Sequence, residues 1–175
     1  MRVGFVGLGK LGMPCAVAMS MRGHDVIGYD LNPSLMHKSP RSYRETGPDG
    51  ITPFDPYLAR STVRFGSLEE VAAQSEIIFV AVQTPHDPRY EGTTRIPPER
   101  KDFDYAHLKQ AVADLVAVIS KPTLVVVIST VLPGTVRREI FPLLTPHIRL
   151  CYNPYFIAMG TTMQDFLSPE FILLG

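Results

Sequence analysis

The chain is 175 residues long, 45% hydrophobic and 19% charged, enough to bury one sizeable core and consistent with a single soluble globular domain. Seventeen basic and seventeen acidic residues give zero net charge, so the electrostatic footprint of a nucleic-acid or anionic-membrane binder is absent. Apolar runs such as residues 124–128 fall far short of the ~20 residues of a membrane span.

Residues 2–6 read as an apolar strand that ends in Gly7-Leu8-Gly9-Lys10-Leu11-Gly12 and passes into small and apolar residues with helical spacing. This G-x-G-x-x-G pattern predicts a phosphate cradle. Gly7 permits the tight turn off the strand, Gly9 lets backbone approach a pyrophosphate, and Gly12 lets the helix pack closely on the sheet with its free N–H groups facing the anion. Lys10 and Leu11 belong to the same loop and are counted with it. Residues 25–29 predict a second strand ending in Asp30, about 20 residues beyond the motif. A carboxylate there accepts the ribose hydroxyls of an adenosine and repels a 2′-phosphate, which favours NAD over NADP.

Residues 32–60 are rich in charge, glycine and proline, and Pro33, Pro40, Pro48, Pro53 and Pro56 exclude any long helix. A short strand is expected at 62–65, followed by a short helix opened by a capping box of Ser67 and Glu70. Residues 77–82 are continuously apolar, as in a central parallel strand covered on both faces, and lead into Gln83-Thr84-Pro85. A polar loop at 85–104 precedes a helix at 105–119, where Leu108, Val112, Leu115 and Ile119 share one face. A buried strand at 124–128 stops at Ser129-Thr130-Val131, and Pro133 suits the first turn of a helix running to Leu144. A sixth strand at 148–151, a loop at 155–169 and a strand-like stretch at 171–174 complete the chain.

Strands alternating with crossovers predict an α/β, Rossmann-type, doubly wound and mostly parallel sheet with helices on both faces and strand order 3-2-1-4-5-6. An apolar strand closing on Gly175 would leave a sheet edge uncovered, so more chain is expected beyond it in the intact protein. Cys15 and Cys151 make no disulfide framework and suit a reducing cytoplasm as packing residues. The five histidines show no metal-ligand spacing, and no metal is expected.

Several separated motifs together resemble the N-terminal NAD-binding domain of the UDP-glucose/GDP-mannose dehydrogenase family over nearly the whole chain. They are the glycine loop with Asp30, Pro53-Phe54-Asp55-Pro56, Val82-Gln83-Thr84-Pro85 followed by Gly92, Ser129-Thr130-Val131 with Pro133-Gly134-Thr135, and Tyr152-Asn153-Pro154 followed by Gly160-Thr161-Thr162 and Phe166-Leu167-Ser168-Pro169-Glu170. The resemblance implies oxidation of a nucleotide-sugar 6-hydroxyl to a carboxylate by two hydride transfers to NAD, cytoplasmic, in polysaccharide biosynthesis. It also implies that the nucleophilic cysteine, the central helix for homodimerisation and the substrate domain lie outside residues 1–175, so this chain alone is expected to be inactive.

By the same resemblance Val82, Gln83 and Thr84 join Gly7, Gly9, Lys10, Leu11, Gly12 and Asp30 at the cofactor. Thr130 is implied both as a cofactor contact and as a catalytic residue. An ordinary strand-end hydroxyl is the alternative for Thr84 and Thr130. Tyr155 stands where the family has a glutamate, and Met159 where it has a second. Leu35 stands where a basic residue is usual. Phe156, Ile157 and Ala158 fall in the implied substrate-binding segment. Tyr155, taken as a phenol of ordinary acidity, is a donor and a poor base facing the nicotinamide end, or else it simply packs under the loop to Gly160. Two other functions fit the residues less completely: a β-hydroxyacid dehydrogenase, and a module that binds NAD without turnover.

Overall fold

The computed structural model describes residues 1–38 and 44–175; Pro40, counted among the helix-breaking prolines, lies outside them. Six strands pair in parallel in the order β3-β2-β1-β4-β5-β6: β1 (Arg2–Val6), β2 (Asp25–Tyr29), β3 (Arg64–Phe65), β4 (Ile77–Val80), β5 (Thr123–Val127) and β6 (Ile148–Tyr152). This is the expected order, with every pair parallel.

The continuous apolar runs follow from two cores. Along β1, β4 and β5, Val3, Phe5, Phe79 and Val126 point to one face, while Val6, Ile78, Val80, Val125 and Val127 point to the other. On the first face lie α1 (Gly12–Met21), α2 (Asp55–Arg60) and α5 (Thr162–Leu167), with Ala16, Leu58 and Met163 wholly buried. Phe5 and Phe79 stack there with ring centroids 5.1 Å apart. On the second face lie α3 (Leu68–Gln74) and α4 (Ala106–Val118), which bury Val71, Leu108, Val112 and Leu115. The Ser67–Glu70 capping box forms as expected at the start of α3. Among the described residues no helix is long and apolar enough to cross a membrane.

The structure departs from the sequence reading in four places. The expected helix to Leu144 is a wide π-helical turn, Val136–Ile140, followed by a 3-10 turn, Phe141–Leu143. Pro142 has no N–H for the regular ladder, so the α-helix cannot propagate through it. Residues 171–174 form no strand, and Gly175 exchanges both backbone hydrogen bonds with Tyr152 of β6 (2.8 and 2.9 Å). The other two departures are α2 and α5, each of six residues, inside segments expected to be loop. Both are too short for a hydrophobic period to register.

Buried Glu45 ties its own stretch of the chain to residues 160–162. Its carboxylate accepts the Gly160 amide at one oxygen (3.0 Å) and the Thr162 amide at the other (3.1 Å), and Thr46 donates both its amide (2.9 Å) and its hydroxyl (2.7 Å) to the Gly160 carbonyl. Glu45→Gln replaces one acceptor with an NH₂ facing an N–H. It is therefore expected to destabilise the chain by about 1–3 kcal/mol, read as a lowered midpoint in urea unfolding with unchanged slope. An unchanged midpoint would show that these two amides find other acceptors.

Candidate functional site

The last residues of five strands form one row across the sheet, with Tyr29, Val6, Val80, Val127 and Tyr152 in register. The candidate site residues follow that row at the carboxyl edge, and β1 and β4, which flank the topological switch, open a crevice there.

The glycine loop crosses that edge. Gly7 has φ +94°, and a Cβ on it would lie 2.5 Å from the Ala81 carbonyl oxygen, so only glycine makes this turn. The first turn of α1 has no side-chain cap and no acidic residue, and the amides of Lys10, Leu11 and Gly12 have no backbone acceptor among the described residues. Such a helix start attracts an anion. At Gly9 a Cβ would meet no protein atom within 4 Å. The fold itself does not require glycine there, whereas a pyrophosphate drawn against the backbone would.

Asp30 locks the loop to β2. One carboxylate oxygen accepts the Leu8 amide at 2.7 Å and the other the Asn32 amide at 2.8 Å, while the Gly7 amide donates to the Tyr29 carbonyl at 2.9 Å. Each oxygen keeps a lone pair for a ribose hydroxyl. Gly7, Gly9, Asp30, Val82 and Gln83 line one cleft of about 320 Å³. Lys10 is exposed and Leu11 half-buried; neither lines it.

The ends of β4 and β5 are stitched together beyond the row. Ser129 donates its hydroxyl to the Val82 carbonyl at 2.7 Å, and Thr84 donates its hydroxyl to the Thr130 carbonyl at 2.6 Å. This bond engages the Thr130 backbone and not its side-chain hydroxyl. Two tyrosines fix the loop that carries Thr130: the Tyr152 hydroxyl accepts the Val131 amide (3.3 Å), and the Tyr105 hydroxyl accepts the Leu132 amide (3.3 Å) and the Thr135 hydroxyl (3.2 Å). Sequence reasoning missed these supports because each joins segments distant in the chain.

Tyr155 lies elsewhere. Together with Phe156 and Ile157 it lines a separate apolar cavity of about 250 Å³ beside Phe79 and Phe166, and its ring packs on Phe166 at 5.1 Å between centroids. Burial, and secondarily Cys15 and Cys151, raise the pKa of its phenol above the ordinary value. The assumption of ordinary acidity therefore fails, and the phenol stays protonated at neutral pH. Ala158 is exposed and its amide donates to Asp165 at 2.9 Å. Cys15 is fully buried, and burial, followed by the Glu45 charge, raises its thiol pKa.

The model of the UDP-glucose/GDP-mannose dehydrogenase family, NAD binding domain, matches residues 1–175. The chain belongs to this family. Over 192 residues it is 27% identical to the GDP-mannose 6-dehydrogenase of Pseudomonas aeruginosa, covering all of this chain and 41% of that protein. It is 26% identical over 180 residues to the UDP-N-acetyl-D-mannosamine dehydrogenase of Pyrococcus horikoshii, covering 100% of this chain and 37% of the relative. The solved UDP-glucose dehydrogenase of Pyrobaculum islandicum superposes with a TM-score of 0.72 at 28% identity, over 99% of this chain and 40% of that one. The family domain thus spans about two fifths of the length of the relatives it matches.

Proposed function

We propose that this chain is the cofactor half of a nucleotide-sugar 6-dehydrogenase, one that oxidises a sugar 6-hydroxyl to a carboxylate for polysaccharide synthesis in the cytoplasm. In this reading a substrate domain and a dimer-forming helix complete the enzyme, as the greater length of the relatives supports. Bound NAD supplies the hydride acceptor. The observation that carries the assignment is the cleft itself, where Gly7, Gly9 and the Asp30 carboxylate share one crevice at the switch point beside the uncapped helix start at Gly12.

Each residue has its part in this proposal. The amides of Lys10, Leu11 and Gly12 face the pyrophosphate, Asp30 holds the adenosine ribose, and Val82, Gln83 and Thr84 form the far wall. The Thr130 hydroxyl stands at the reacting end. Tyr155, protonated and packed on Phe166, shapes the wall below Phe156, Ile157 and Ala158 and moves no proton. The nucleotide sugar lies along that segment.

Calorimetric titration of the 175-residue chain tests the cofactor assignment. NAD is expected to bind at least ~10-fold more tightly than NADP, because Asp30 meets the 2′-phosphate with like charge. Asp30→Ala is expected to weaken NAD by roughly 1–3 kcal/mol, since it removes the ribose acceptor and the tether to the Leu8 amide. Equal or tighter NADP binding would overturn the assignment. Steady NADH production from UDP-glucose or GDP-mannose by this chain alone would refute the division of labour between two halves.

A further inference from the structure

Beyond Asp30 the cleft continues as a slot with an apolar lining and a polar rim. Leu31, Leu35, Leu68 and, from α4, Ala111 supply the apolar part of the lining. A planar base attached to a ribose held at Asp30 has this slot as its continuation. The rim is formed by Gln110 and Asp114, one turn apart on α4, where Gln110 donates its Nε2 amide to Asp114 Oδ1 at 2.7 Å. His107 lines the same stretch and is exposed.

That hydrogen bond fixes the polarity of the rim. A carboxylate only accepts, so it must receive the NH₂ end of Gln110, and the amide is thereby oriented with Oε1 as its free end. Asp114 retains its other oxygen. The pair therefore presents acceptors and no unshared donor apart from the second Gln110 N–H. An imidazole offers a donor as readily as an acceptor, so His107 does not impose a sign.

We propose that Gln110 and Asp114 read the exocyclic amino group of the cofactor's adenine and discriminate against a base carrying an oxygen in that position. A 6-amino group places a donor against two acceptors, whereas a 6-oxo group turns an acceptor toward them and can be met only by the second Gln110 N–H. The assignment rests on the cofactor reading above and adds to it a residue pair that selects the base. Both side chains are exposed, so substitution leaves the packing of Leu108, Val112 and Leu115 on the opposite face of α4 intact.

The test is calorimetric titration of the 175-residue chain with NAD and with its hypoxanthine analogue, in which a 6-oxo group replaces the 6-amino group. The wild-type chain is expected to prefer NAD about tenfold, and Asp114→Ala and Gln110→Ala are each expected to narrow that preference to about twofold or less. Asp114→Asn, which brings an N–H to the rim, is expected to strengthen binding of the analogue. A wild-type chain that binds both dinucleotides equally, or an Asp114→Ala variant that keeps the full preference, would overturn the assignment while leaving the cofactor site standing. Failure of the wild-type chain to bind either dinucleotide would overturn both.

Discussion

Gly9→Ala is expected to weaken NAD binding about 5- to 150-fold while leaving the thermal midpoint of the free chain unchanged or slightly raised. The two effects separate because different partners judge the added methyl. Within the protein a Cβ at Gly9 meets nothing within 4 Å, and Gly9 is absent from the positive-φ residues, so alanine fits the backbone without strain. Removing glycine also restricts the unfolded chain, which favours the folded state by about 0.4–1 kcal/mol where the native conformation is compatible. A pyrophosphate seated on the amides of Lys10 and Leu11 must approach the loop backbone closely, and the methyl occupies that approach. Overpacking of this kind costs about 1–3 kcal/mol, the origin of the binding range. Titration calorimetry and a melting curve on the same preparation measure both quantities. A variant that melts normally and binds NAD as well as the wild type would show that the pyrophosphate does not pass over Gly9.

The features legible in the sequence are those set by local chemistry. The turn at Gly7, the capping box at Ser67 and Glu70, and the unbroken apolar stretch that becomes β4 each follow from neighbouring residues, and the alternation of strands with crossovers carries the strand order. The illegible features join distant segments. Glu45 reaches Gly160 and Thr162 across more than a hundred positions, and no periodicity marks it as buried. Tyr105 and Tyr152 read as ordinary helix-start and strand-end aromatics, yet their hydroxyls hold the loop bearing Thr130. Tyr155 lies just past β6, but its acidity depends on Phe166, Cys15 and Cys151 packing around it, which only the folded chain brings together. The rim on α4 went unread for a related reason. The helical period identifies the buried face of α4, whereas Gln110 and Asp114 lie on its exposed side.

Gly12→Ala is expected to have the opposite signature to Gly9→Ala, destabilising the chain by about 3 kcal/mol or more. Intrinsic propensity alone predicts the reverse sign, since Gly12 is the first residue of α1 and alanine favours helix by up to about 1 kcal/mol. Geometry outweighs propensity here. A Cβ on Gly12 would lie 1.9 Å from the Gly7 carbonyl oxygen and 2.9 Å from its carbon, both backbone atoms that cannot rotate away. Gly7 cannot yield by shifting toward β4, because its own Cα faces the Ala81 carbonyl at a distance that already excludes a side chain. Relief must come from sliding α1 off the sheet, and α1 carries Cys15, Ala16, Val17 and Ala18, all fully buried. For a chain of this size each kcal/mol lowers the melting midpoint by about 2–4 °C, so a fall of roughly 6–12 °C or more is expected in a thermal melt. Loss of NAD binding should accompany it only to the extent that the chain unfolds or α1 is displaced. A Gly12→Ala chain that melts with the wild type would show that the helix start has room the structure denies it.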